Sequence, residues 1–269
     1  ANASDSTGYV VATILGPPLA AGLVGLWGGP AALIVISAFF GVAAIISSRI
    51  PDPQTETASS GRLLLDAWQG LSYAWRNPTL RGLGFALSVL NLGGGVTTIV
   101  IPLIVLQHLG QGEPVVGLMF AISGVTGVAA AFVFGRIDSR GRELRMLVLP
   151  MVATAPAVAL LLPASGLTPG DSTLGLAFIA GSMALLGLLN GPLDIALFTL
   201  RQRRTDPAWI GRAFAVSMAF NSLGYPIGSL LAGWLATSSL EIAIAFGVVA
   251  SVAAAVIAAL TIPRSDPAD

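Results

Sequence analysis

The chain has 269 residues, 55% of them hydrophobic and only 10% charged, with a mean hydropathy of +0.85; a water-soluble domain carries about 25% charged residues, so this composition is that of a membrane protein. Thirteen basic residues, all arginine, balance thirteen acids, which leaves no net field to hold nucleic acid. With no cysteine and a single histidine, disulfides, thiolate nucleophiles and zinc sites drop out, and neither a metal nor a cofactor is expected.

A bilayer core takes roughly 20 apolar residues per helix. Apolar runs of that size, each with at most one charged residue, predict eight spans, at about 8–27, 30–48, 82–107, 114–134, 146–163, 173–198, 213–236 and 240–262. None alternates apolar and polar residues as a membrane β-barrel strand does, so the predicted fold class is an all-α polytopic bundle. The abundant glycine and proline fit such helices, whose neighbours satisfy freed backbone groups.

The first span carries Gly8, Ala12, Gly16-Pro17, Ala20-Ala21 and Gly22, small residues at spacings that let helices approach closely, with a Gly-Pro pair that weakens the helix locally. The connection 49–81 begins with Pro51-Asp52-Pro53 and a Ser/Thr-rich stretch. It then places Leu64, Trp68, Leu71 and Trp75 at helical spacing, with Asp66, Gln69 and Arg76 elsewhere, the pattern of a helix lying at the membrane interface. Span 7 repeats part of span 1: at an offset of 208, Gly16, Pro18 and Gly25 meet Gly224, Pro226 and Gly233.

Arginine sets the orientation, because basic residues in short loops stay on the cytoplasmic side. All thirteen fall on one side: in 49–81, between spans 4 and 5 (Arg136, Arg140, Arg142, Arg145), between spans 6 and 7 (Arg201, Arg203, Arg204, Arg212), and after span 8 (Arg264). The opposite loops, near Gly28, His108, Leu167 and Thr237, have none. Both termini are therefore expected in the cytoplasm, with the protein multi-pass in the plasma (inner) membrane.

The loop Gly135-Arg136-Ile137-Asp138-Ser139-Arg140-Gly141-Arg142 resembles the cytoplasmic loop signature of the major facilitator superfamily. Here Gly135 stands one residue nearer the Asp than in the family pattern, and Ser139 replaces its basic residue. The resemblance implies a conformational latch formed by Gly135, Asp138, Arg140, Gly141 and Arg142. The Gly-Pro rhythm of span 1 resembles the motif on the fifth helix of that superfamily's exporters, which assigns Gly8, Gly16, Pro17 and Gly22 to a rocking interface; a generic small-residue packing face is the alternative. The stretches Leu200-Arg201-Gln202-Arg203-Arg204, Gly211-Arg212-Ala213-Phe214, Gly224-Tyr225-Pro226-Ile227-Gly228 and Trp68 to Arg81 resemble the drug-exporter branch that includes macrolide and siderophore efflux proteins.

By this resemblance the chain covers helices five to twelve. Residues 1–50 would be the last two helices of an N-terminal bundle, 51–79 a cytoplasmic linker, and 80–269 a complete six-helix C-terminal bundle. Helices one to four are expected upstream, since the chain does not begin with Met and Ala1 to Thr7 have no signal-peptide n-region. The implied activity is secondary active, proton-coupled efflux of a hydrophobic or amphipathic small molecule by alternating access. A truncated remnant, a subunit needing a partner, and a solute importer of the same superfamily are the alternatives. Its partners are then the lipid bilayer, the small-molecule substrate and protons.

An ionisable group at membrane depth is expensive and marks function by default. Asp194 in span 6 is either a proton-coupled carboxylate or the acid of an ion pair with Arg201, Arg204 or Arg212. Asn91, Asn190, Asn221 and Tyr225 are polar groups for a substrate cavity or for interhelical hydrogen bonds. His108, at the outer end of span 3, is expected to be solvated. A paired intramembrane acid and base is missing from the sequence, so an enzyme is not expected.

Overall fold

The computed structural model describes residues 2–49, 63–136, 139 and 141–264, with the backbone alone for most of 2–26 and for 63, 64, 66, 169 and 208. The described chain is helical, and no strand occurs among the described residues. In order run α1 (Asn2–Ser47), α2 (Leu63–Arg76), α3 (Pro78–Leu103), α4 (Glu113–Phe134), α5 (Glu143–Ala159), α6 (Leu161–Ser165), α7 (Ser172–Arg203), α8 (Ile210–Ser222), α9 (Gly224–Ala236) and α10 (Leu240–Thr261). Among the described residues seven helical stretches are long and apolar enough to cross a membrane, beginning with Trp27–Ser47. The additional span expected at 8–27 forms the first part of α1, whose backbone turns at Gly28, φ +78°.

Local chemistry fixes the boundaries. Asn77 caps α3, its Oδ1 accepting from Thr79 N and Leu80 N at 3.0 and 3.1 Å, with Pro78 at the first helical position, where its missing N–H costs nothing. Ser239 Oγ caps α10 by accepting from Ile242 N at 3.2 Å. Near the other end of α3, Pro102 precedes a π-helical turn, Ile104–His108. The α8–α9 break at Leu223 lies three residues before Pro226, which has no N–H to continue the ladder.

Helix α3 is the hub, packed against α10, α9 and α8; α7 packs on α4 and α5, α5 on α10, α2 on α8, and α1 on α4. One core cluster gathers Val100, Ile101, Ile104, Leu161, Ile179 and Ile244. A second, nearer the arginine-bearing end, gathers Leu83, Leu147, Met151, Leu197, Leu200 and Ala258.

Glycines set the closest crossings, as helices in lipid associate by close packing rather than by a hydrophobic gain. A Cβ on Gly224 or Gly228 of α9 would lie 1.8 or 2.2 Å from the carbonyl oxygens of Ser88 and Leu92 on α3. A Cβ on Gly187 of α7 would meet Ser123 and Thr126 of α4, and one on Gly191 would meet Ala130. Helix α2 buries Gly70 and Ala74 and leaves Trp68, Leu71 and Trp75, three of the residues expected to meet the membrane interface, exposed.

Candidate functional site

The end of α7 reads Arg201-Gln202-Arg203-Arg204, and its three arginines go to three different places. Arg203 Nη1 donates to Glu143 Oε1 at 2.6 Å, tying α7 to the start of α5. Arg204 Nη1 donates to Thr79 Oγ1 at 3.2 Å and to the Pro263 carbonyl at 2.7 Å, joining the start of α3 to the chain just after α10. Asn77 Nδ2 closes this clamp by donating to the Arg204 carbonyl at 2.8 Å.

Arg212 is drawn elsewhere. Its Nη1 donates to Gln69 Oε1 of α2 at 3.3 Å, and its guanidinium carbon lies 5.8 Å from the ring centre of Trp209. Trp209 stacks on Tyr73, 5.0 Å between ring centres, and Tyr73 OH accepts from Asp206 N at 2.9 Å. The structure therefore brings neither Arg204 nor Arg212 to Asp194.

Arg201 is wholly buried, and none of its three guanidinium nitrogens has a hydrogen-bond partner among the described residues. It sits seven residues after Asp194, which is about 20° around the helix and roughly 10 Å along it; helical side chains lean towards the N-terminus, so Arg201 leans towards Asp194. Asp194 is the charge that acts on it. Asp194 itself is exposed, as is Asn190 one turn earlier. The two form a polar stripe on a helix that crosses the apolar layer, beside the Gly187 and Gly191 face that packs on α4.

The other predicted cavity residues lie on α3, α8 and α9. Asn91 Nδ2 donates to the Asn221 carbonyl at 2.9 Å, satisfying backbone at the break between α8 and α9. The Asn221 side-chain Oδ1 is buried without a hydrogen-bond partner among the described residues. Tyr225 is exposed and its OH contacts Thr98 Oγ1 across the α3–α9 crossing. Nearby, Phe220 on α8 packs edge-on against Phe85 on α3, 5.3 Å between centres, whereas Met119 on α4 belongs to the core.

Of the latch loop, Asp138 and Arg140 lie outside the described residues. Gly135 follows α4 as its C-cap, Gly141 has φ +73°, a left-handed conformation that favours glycine, and Arg142 N donates to the Ser139 carbonyl at 2.8 Å. Gly8, Gly16, Pro17 and Gly22 lie on α1, with only their backbone described. His108 departs from expectation: it is half-buried, and its Nδ1 has no hydrogen-bond partner among the described residues. It is the last residue of the π turn.

Comparison with known proteins decides the family. The Major Facilitator Superfamily model matches residues 83–269. An uncharacterised MFS-type transporter, y4rN of Sinorhizobium fredii (strain NBRC 101917 / NGR234), is 35% identical over 265 residues, covering 98% of this chain and 63% of that protein. The chain belongs to the Major Facilitator Superfamily. It is thus a multi-pass membrane protein of a transporter family rather than of an enzyme family, and it spans less than two thirds of the relative's length. The α7 stripe and the glycine crossings lie within the matched superfamily region, as does the arginine clamp apart from Asn77 and Thr79 at the start of α3.

Proposed function

We propose that this chain is part of a proton-coupled exporter of hydrophobic or amphipathic small molecules, working by alternating access, with its arginine-bearing end in the cytoplasm. Residues 80–269 act in this reading as the C-terminal bundle, and 51–79 as the linker from the helices before it. The carrying observation is the α7 pair: an exposed Asp194 within a span, beside a wholly buried Arg201 without a hydrogen-bond partner among the described residues. A buried guanidinium left without a counter-charge is strongly destabilising, so protonating Asp194 changes the cost of keeping Arg201 where it is. A proton taken or released there biases one arrangement of the helices against another.

Aromatic and aliphatic groups around Phe85, Met218 and Phe220 offer an adaptable apolar wall, with Asn190, Asn221 and Tyr225 as the polar groups that orient a substrate. The loop Gly135 to Arg142, with Asp138 and Arg140, acts as the latch, and the Gly8, Gly16, Pro17, Gly22 face as the rocking interface.

The test uses the full-length protein expressed in cells loaded with ethidium or erythromycin. The wild type exports at least one of them faster when the outside is made acidic, and Asp194→Asn loses that response. Export by Asp194→Asn with the wild-type dependence on the pH gradient removes the proton role, and a wild type that exports neither compound removes the efflux reading.

A further inference from the structure

At the arginine-bearing end of the bundle a cleft of about 570 Å³ lies where the start of α5 meets the end of α10. Two guanidinium groups border it, Arg145 on α5 and Arg264 just after α10, and its walls include Val148, Leu149 and Ala259. Both arginines are exposed, and neither has a hydrogen bond or ion pair among the described residues. This sets them apart from Arg203, Arg204 and Arg212, each of which is committed to a neighbouring helix.

From the arginine pair, two apolar rows run towards the middle of the bundle. Helices α5 and α10 are antiparallel: Leu147 and Met151 share a core cluster with Ala254 and Ala258, whereas Leu161, just after α5, clusters with Ala243 and Ile244 near the start of α10. Leu149 and Val152 on α5 therefore lie alongside Val256 and Leu260 on α10, and all four are exposed, Leu260 at 80%. Helix α1 packs on α4, on another side of the bundle, so it leaves this face open.

We propose that this cleft binds an anionic phospholipid, with Arg145 and Arg264 holding the phosphodiester and the acyl chains lying along the α5–α10 rows. The charge complementarity is direct, since guanidinium groups present forked donors to phosphate oxygens and both arginines sit at the end of their helices, at headgroup level. Free inorganic phosphate would use the arginines but leave the aliphatic rows without an occupant; an apolar helix would fill the rows but leave two cations unmatched. Only a lipid satisfies both, and basic pockets between membrane helices bind such headgroups elsewhere.

The test reconstitutes the full-length protein in nanodiscs of phosphatidylglycerol and phosphatidylcholine and counts retained lipid by native mass spectrometry. Wild type is expected to retain phosphatidylglycerol over phosphatidylcholine, and R145Q/R264Q to lower that preference about tenfold or more, from two interfacial charges. Added sodium phosphate is expected to leave the retained lipid in place. The single variant R264Q, which changes only an exposed residue beyond the last helix, is expected to lose part of the preference with the fold untouched. An unchanged preference in R145Q/R264Q overturns the proposal, as does displacement by phosphate alone.

Discussion

Replacing Gly224 with Ala is expected to destabilise the bundle, although alanine is the better helix former by about 1 kcal/mol. The new methyl would begin 1.8 Å from the Ser88 carbonyl oxygen, whereas contacts become ordinary only at 3.4 Å. The obstacle is backbone, so no rotamer change relieves it and α3 and α9 must move apart by roughly 1.6 Å locally, with overpacking of this kind costing about 1–3 kcal/mol. Separation also loosens the contact between Thr98 and Tyr225 and the hydrogen bond from Ser229 Oγ to the Gly95 carbonyl, 3.3 Å. Gly233, on the same helix, is the control: a Cβ added there would have nothing within 4 Å, so Gly→Ala should be neutral or mildly stabilising. Thermal unfolding of the purified protein in detergent reads the difference. At about 2–4 °C per kcal/mol for a domain of this size, G224A should fall by several degrees while G233A holds or rises. Equal midpoints for the two variants would refute the assignment of the α3–α9 crossing.

Other perturbations separate structural from functional residues. Asn91→Ala removes the donor to the Asn221 carbonyl and should lower stability by about 1 kcal/mol in the same unfolding assay, while leaving the pH response of transport intact. A double-mutant cycle of Arg203→Gln with Glu143→Gln should give a coupling of about 0.5–1 kcal/mol, because the Arg203 side chain is 46% exposed and only Glu143 is buried; a coupling near zero would make that contact incidental. Asp138→Ala should shift the balance of inward-open and outward-open forms in a cysteine-accessibility assay, and unchanged labelling on both sides of the membrane would remove the latch.

The spans were legible because hydropathy at membrane depth leaves little choice: the apolar runs at 82–107, 114–134 and 240–262 become α3 with its π turn, α4 and α10. Helix α7 runs five residues past its expected end, to Arg203, because its arginines find partners on α5 and α3 and so extend the helix instead of ending it. The stripe of Asn190 and Asp194 was legible from a spacing of four, and the candidate pair with Arg201 from a spacing of seven. What one sequence hides is register between helices. Asn91 has the chemistry of a substrate contact, and nothing along the chain shows that it lies opposite the Asn221 carbonyl. The crossing of Gly187 and Gly191 with α4 was available as a small-residue repeat, but a glycine-rich chain carries many such repeats and only packing selects among them.

The most direct test of the transport account is proton movement itself. Full-length protein is reconstituted in vesicles holding a pH-sensitive dye, and an imposed gradient of the exported compound, ethidium or erythromycin, is the only driving force. Wild type is expected to move protons against the compound's flow, and Asp194→Asn to move none. Proton movement by Asp194→Asn at the wild-type rate would contradict it.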